Sequence, residues 1–315
     1  GDVVPFRQIA HHDGGWTVYD PDDETHLFCS YQNMGLVRYR DGVRTDEPAG
    51  LEDIPDSQKN RVFMAVLGMD ISEREAGAAG TRAIYLCSSD VWCSEDDGER
   101  FSNITEGALD GSIISAIEVC QGNANRIYLG TTRGGFFRGT RQDDGSWSWT
   151  KNLAGPLNPN RIITRIDSMT ENPDRVAYVV GLVSATFILG TTEGTPSHRM
   201  LRGGLYGEVD GKPALFDYAH YYESDDGGMS WLTRSRMGMV NLPHNALVMN
   251  LGAALDDAGG AVTIVAHDGG VSVRVGNSDF LPANGNLPNV RITDVVTHEG
   301  SNDVFVSTYG RGVWK

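Results

Sequence analysis

Asp268 lies in the run His267-Asp268-Gly269-Gly270, and Asp90 lies in Ser88-Ser89-Asp90-Val91. Each follows an apolar, β-branched or aromatic run, so each carboxylate falls in a short turn between strands. Two carboxylates presented from turns suit acid–base work. One protonates a leaving oxygen while the other serves as base or nucleophile, the division of labour in glycoside hydrolysis. The same residues equally suit turns alone, because Asp bonds to the amides of its own turn and Gly accepts positive φ. His267 adds an imidazole beside Asp268, so the catalytic candidates are Asp268, Asp90 and His267. His11, His12, His220, His244 and His267 all fall at turns or strand ends. Imidazoles converging there, with Asp13 or Asp268 as a carboxylate, could hold a transition metal, although the long-range spacing forms no local metal motif. Tyr31, Gln32, Asn33, Arg133, His244, Tyr309 and Arg311 are the substrate-binding candidates. The arginines can clamp an anion in a fork, and the two tyrosines can stack on a sugar. Solvated loop charge is the plainer reading of the arginines.

Six segments share one template that would position these residues: an apolar strand, a short polar loop, and a second strand. They begin at Leu27, Ile84, Ile127, Val176, Val262 and Val304. A further apolar strand precedes each, in Trp16 to Tyr19, Val62 to Leu67, Ile114 to Val119, Ile163 to Met169, Ala246 to Leu251 and Ile292 to Thr297. Outer strands follow, as in Trp147 to Lys151 and Trp231 to Arg234. Four strands per unit at a period of roughly 40–50 residues is the signature of a β-propeller. No helix-period segment of useful length stands out. The expected fold is therefore all-β: a six-bladed propeller forming a single domain over residues 1–315. The gap between the fourth and fifth segments is about twice the usual spacing. Either blade 4 carries an insertion at about 183–218 or a degenerate seventh blade hides there, and the insertion is favoured. Val3 to Ile9 would supply the fourth strand of the last blade, which ends on Val313-Trp314-Lys315. That would close the ring and make the propeller complete.

The stretch Ser224-Asp225-Asp226-Gly227-Gly228-Met229-Ser230-Trp231 reads S-x-D-x-G-x-S-W, and Ser94 to Phe101 repeats it with Phe in place of Trp. Asp143 to Trp149 is a weaker third copy. This pattern resembles the Asp-box, or BNR, hairpin of sialidase, xyloglucanase and sortilin-type propellers. The resemblance implies that the hairpins join third to fourth strands and brace the scaffold, with ligands bound on the opposite face. It also implies that Asp268, in a sequence similar to the T-D-x-G-G-x-Y loop of xyloglucanases, corresponds to a catalytic aspartate. Asp90 matches less well because its loop lacks the Gly pair. In a six-bladed ring blades 2 and 5, which carry the two aspartates, would face each other across the axis. The R-I-P sequence of true sialidases is missing; Phe6-Arg7-Gln8-Ile9 is the nearest piece. The resemblance points to an extracellular or periplasmic protein.

The formal net charge of −16 argues against nucleic acid, whose phosphates an acidic surface repels. No apolar run reaches the roughly 18 residues a membrane helix needs. No signal peptide is evident, and the chain reads as starting at a mature terminus. The four cysteines form no C-x-x-C pair. Cys87 and Cys93 would face each other across a hairpin centred on Asp90, where a disulfide could form, but buried free thiols are the leading expectation. Three functions stay open. The first is a carbohydrate-active enzyme, hydrolase or lyase-like, working in an axial funnel. The second is a non-catalytic propeller that binds a glycan, another small polar ligand or a protein. The third is a metal-dependent enzyme built on the histidines.

Overall fold

The structure, a computed structural model, describes residues 15–45, 47–74, 81–152, 161–181, 206–209, 212–215, 220–233, 238–240, 242–249, 261–297 and 303–315. They form the sheets of a six-bladed β-propeller. Blade 1 is β1 (Thr17–Asp20), β2 (Asp23–Tyr31), β3 (Gly35–Arg40) and β4 (Val43–Arg44). Blade 2 is β5 (Val66–Met69), β6 (Ile84–Cys87), β7 (Val91–Ser94) and β8 (Ser102–Asn103). Blade 3 is β9 (Ile114–Val119), β10 (Arg126–Thr131), β11 (Phe136–Arg141) and β12 (Trp147–Asn152). Blade 4 is β13 (Ile163–Met169) and β14 (Asn172–Val180), then, after the hairpin β15 (Tyr206–Val209) and β16 (Lys212–Leu215), β17 (Tyr221–Ser224) and β18 (Leu232–Thr233). Blade 5 is β19 (His244–Met249), β20 (Val262–His267), β21 (Gly270–Val275) and β22 (Leu281–Pro282). Blade 6 shows β23 (Ile292–Thr297), β24 (Val304–Thr308) and β25 (Gly312–Trp314).

Every blade is antiparallel and pairs in chain order; in blade 4, β14 pairs directly with β17, and the hairpin β15–β16 forms its own small sheet. The described residues fall into two compact units, those up to Ile114 and those from Ser115 onward. Residues 3–9, expected to complete blade 6, lie outside the described residues, as do His11, His12 and Asp13.

The second strands of blades 2 and 5 are covered on both faces. Ile84–Cys87 and Val262–His267 are buried along their whole length. In the second unit the cores lie between successive blades. Ala116, Tyr128 and Phe136 of blade 3 pack on Ile163, Ile166, Tyr178 and Tyr222 of blade 4. Ala246, Val248, Ile264 and Ala266 of blade 5 pack on Ile292, Val295 and Val306 of blade 6. Trp231 closes one such seam, meeting Phe136 and Tyr178 edge-on at 4.7 and 4.6 Å. Aromatic edge-to-face contacts of this kind add to the area they bury.

Between blades 1 and 2 the chain makes a 3-10 turn, Ala49–Asp53, and one helical turn, α1 (Asp56–Lys59), each introduced by a proline. These displace the first strand of blade 2 from the expected Val62–Leu67 to Val66–Met69. Cys87 pairs with Val91 and Cys93 with Tyr85, so the two thiols do not oppose each other. All four cysteines are free and buried.

The turns after β7 and β17 share one bonding scheme. Ser94 Oγ donates to Asp96 Oδ1 at 2.9 Å and accepts from Gly98 N at 2.8 Å, while Arg100 N donates to Asp96 Oδ1 at 2.9 Å. Ser224 Oγ donates to Asp226 Oδ1 at 2.7 Å and accepts from Gly228 N at 2.8 Å, while Ser230 N donates to Asp226 Oδ1 at 2.8 Å. Gly98 and Gly228 sit at φ 88° and 84°, which only glycine adopts freely. Both turns join third to fourth strands. The turn at 143–149 occupies the same place in blade 3 but is simpler, with Asp144 accepting from Ser146 alone.

Candidate functional site

The strand ends opposite these turns carry the sequence-predicted residues. In the first unit Tyr31 ends β2, and its hydroxyl donates to Glu47. Burial first, then the bond to Glu47, pushes its phenol up to about 12. Gln32 bridges to Met64. Asn33, exposed, and the buried Met34 follow at φ 59° and 60°. These two positive φ values, with Gly35 N donating to Gln32 O at 3.2 Å, make a tight mirror-image turn within the three-residue loop.

Asp90 is bound inside its own unit. Gln58 Nε2 donates to its Oδ2 at 2.9 Å and Thr105 Oγ1 to its Oδ1 at 2.8 Å. Gln58 Oε1 in turn accepts from Ser88 and Ser89. The helical turn α1 thus reaches across to fix the whole Ser88–Asp90 turn. Both oxygens of Asp90 hold structure, as the turn-shaping reading expects.

In the second unit the pieces gather around Asp268. Its Oδ1 accepts from Arg291 Nε at 2.9 Å and from Asn245 Nδ2 at 2.9 Å, and Asn245 also donates to Ile292 O at 2.8 Å. The Asp268 side chain is 31% exposed and that of Arg291 29%, so the ion pair meets solvent at its rim. The backbone N–H of Asp268 donates to Pro243 O, docking the turn on the entry to β19. Of the two following glycines, Gly270 is the constrained one. A Cβ at Gly270, φ 130°, would fall 1.9 Å from Asn284 Oδ1, which accepts from Val271 N. A Cβ at Gly269 would fall 2.7 Å from Leu242. Tyr309 is 69% exposed, and its backbone N–H donates to the Arg291 carbonyl at 2.9 Å.

The histidines lie beneath. His244 stacks on His220 at 5.0 Å and meets the ring of His267 at 5.4 Å. His220 and His244 are fully buried and His267 is 3% exposed. His244 Nδ1 donates to Leu242 O at 2.7 Å, which leaves Nε2 an acceptor; that atom is buried and has no hydrogen-bond partner. His220 Nδ1 accepts from Arg161 Nη2 at 2.6 Å. His267 Nδ1 accepts from Gly269 N at 3.1 Å, so its Nε2 carries the proton and donates to Ser272 Oγ at 3.2 Å. Burial, then the neighbouring His220, holds the His244 ring well below the ordinary imidazole range. Burial also lowers His267, with the Asp268 carboxylate opposing. Burial lowers Arg161 to about 10.

This arrangement corrects the metal expectation for the three histidines that are described. With His220 Nδ1, His244 Nδ1 and both His267 nitrogens engaged by backbone and side-chain partners, only the lone pair on His244 Nε2 is left over from these bonds. Among the described residues no group of three His, Cys, Asp or Glu could hold a metal ion. His267, the third catalytic candidate, is buried with both ring nitrogens engaged. Arg133 and Arg311 are exposed at the tips of separate turns, in blades 3 and 6.

Arg291 escaped the sequence reading. A signal was present: Arg161-Ile162-Ile163 and Arg291-Ile292 both place an arginine just before a first strand. Arg161 reaches His220, just before β17 of its own blade, and Arg291 reaches Asp268 in the turn of the preceding blade.

Among solved structures, the chain resembles a GH74 enzyme of Niastella koreensis (TM-score 0.56, 15% identity, 95% of this chain and 42% of that one). It also resembles the GH74 xyloglucanase of Xanthomonas campestris (TM-score 0.53, 14% identity, 95% of this chain and 40% of that one). The WD40 repeats of RRP9 align as well (TM-score 0.61, 11% identity, 98% of this chain and 77% of that one). The chain therefore spans about two fifths of the length of the two GH74 neighbours. No protein-family model and no curated protein matches the sequence. At these identities the likeness establishes a β-propeller and nothing narrower.

Proposed function

We propose that this chain is a carbohydrate-active propeller that takes its glycan at the blade 5–blade 6 face, with Asp268 as the acidic group that meets the sugar. The observation that supports this is the Asp268 carboxylate itself. It is partly exposed and aimed by Asn245 and Arg291, and the exposed Tyr309 is tied by its backbone N–H to the carbonyl of the same Arg291. A fixed carboxylate, a guanidinium and an open aromatic face are the groups that recognise sugar hydroxyls and stack on a pyranose ring. The turns at 94–101 and 224–231 are read as Asp-box hairpins, on their shared sequence and identical hydrogen bonds. The likeness to GH74 enzymes, one of them a xyloglucanase, makes a xyloglucan-type β-glucan the first substrate to try and fits an extracellular or periplasmic setting.

Within this reading the leading chemistry is glycoside hydrolysis, with Asp268 as one of the two carboxyl groups it needs. One observation favours the second reading, glycan binding without cleavage. Asp90, the other candidate carboxyl, spends both oxygens on Gln58 and Thr105. Incubation with xyloglucan and analysis of released reducing ends separates the two. Hydrolysis abolished by Asp268→Asn at unchanged Tm supports the enzyme. Undiminished hydrolysis by that variant removes Asp268 from the chemistry. Binding without release of ends supports the second reading.

A further inference from the structure

The chain repeatedly closes turns with an Asp or Asn side chain that accepts the N–H two residues on. Asp20, Asp23, Asp70, Asn103, Asp110, Asn123 and Asp144 bond in this way to Asp22, Thr25, Ser72, Thr105, Ser112, Asn125 and Ser146. Carboxylates and amides stay acceptors throughout the ordinary pH range. At the Asp268 turn the same bond is made by a histidine, His267 Nδ1 accepting from Gly269 N. An imidazole is an acceptor only while that nitrogen is unprotonated. We propose that His267 is a proton-operated positioning residue: neutral, it holds the turn that presents Asp268; protonated, it opposes the Gly269 N–H and releases the turn.

Three features of the geometry support the switch. First, the tautomer is set, because Nε2–H is taken by Ser272 Oγ, so the added proton must go to Nδ1. Second, the surroundings give that proton little welcome. The charged and titratable groups facing the cluster from the described residues are His244 against the ring, His220 and Arg161 behind it, and Asp268 with Arg291 in front. Only Asp268 favours the cation, and its Oδ1 already serves Arg291 and Asn245. Third, the turn is held closely at Gly270, whose φ of 130° suits glycine and whose missing Cβ leaves room for Asn284, itself bonded to Val271 N. Burial keeps the ring neutral at ordinary pH, so release belongs to mildly acidic conditions, below the usual imidazole value of about 6.5.

The role of Asp268 in glycan binding rests on the function proposed above; the switch does not, and its test reads the turn directly. Nitrogen-15 NMR of the whole chain would follow the His267 ring and the Gly269 amide from about pH 7.5 to about 4.5. The expected result is a ring with the proton on Nε2 at the upper end, and a Gly269 amide that moves in step with ring protonation below about 6.5. His267→Asn supplies an acceptor at the Nδ1 position that does not titrate, so its Gly269 amide should stay put. His267→Ala removes the acceptor and should show the released turn at every pH. If glycan binding is found, it should weaken roughly tenfold on acidification in the native chain, the effect of losing one net hydrogen bond, and should lose that dependence in His267→Asn. A Gly269 amide that does not follow the ring in the native chain, or that titrates equally in His267→Asn, overturns the proposal. A titrating turn with no glycan bound at any pH keeps the switch and removes the glycan reading.

Discussion

Asp268 differs from the other candidate carboxylates in what its oxygens are free to do. Asp90 is bonded at both oxygens by its own unit, whereas Asp268 is steered through Oδ1 by two donors and stands partly open. Burial also sets opposite pH responses elsewhere. For His244 and His267 the folded value lies below the unfolded one, so on acidification the unfolded chain takes up the proton first. The stability of the neutral rings is therefore complete above about pH 6.5 and falls as the pH drops below it. Chemical denaturation across that range should show the decline, and His267→Asn should reduce it. Glu118 and Asp167 act in the other direction. Burial, then the charge of Asp167, raises Glu118 well above the usual carboxyl range, and burial raises Asp167 to about 6 despite the Met249 N–H it accepts. Both are protonated more readily when folded, so their contribution is lost as the pH rises from about 4 through the folded values. Glu118→Gln keeps an acceptor for Ser168 Oγ and should raise Tm at pH 8 while leaving it little changed at pH 4. An equal effect at both pH values would contradict the buried-acid account.

At the scale of elements, the S-x-D-x-G turns act as rivets between third and fourth strands. Asp226 shows how tightly one is set. Against the upward push of burial, donors from Ser230, Ser224 and Met229 hold its carboxyl down at about 2. Asp226→Ala should cost about 1–2 kcal/mol, the sum of a few modest net hydrogen bonds, by urea unfolding at neutral pH. Gly98→Ala should cost at least as much, about 1–3 kcal/mol. It forces an L-residue to φ 88° and sets its Cβ 2.7 Å from Pro48. These turns were legible because all their bonds are local: Ser, Asp and Gly fall within five residues. The strand template was legible for a related reason, each second strand being an apolar run closed by a polar turn. The bracing of Asp90 by Gln58 was not legible, because the partner comes from a one-turn helix 32 residues upstream with no periodic signal. The shift of β5 has the same origin.

For the molecule as a whole, the six repeats in the sequence correspond to the six blade sheets, and the double interval before the fifth falls where β14 pairs with β17 around an intervening hairpin. Repeats encode the scaffold because every blade must bury the same two faces. They say little about the site, which is assembled from entry loops and turns of different blades. Asp268, Asn245 and Arg291 are far apart in sequence and meet only because β19, β20 and β23 bring their ends together. The histidines show the limit of reading residue type alone. Among the described residues His220, His244 and His267 gather as a buried stack. The measurement that bears most directly on the central claim is the affinity of a xyloglucan oligosaccharide for the native chain and for Asp268→Asn and Tyr309→Ala, by calorimetry at neutral pH. Specific binding by the native chain, weakened at least tenfold in both variants at unchanged Tm, is the predicted result. Absence of binding across a panel of β-glucans, or equal affinity in all three proteins, would contradict it.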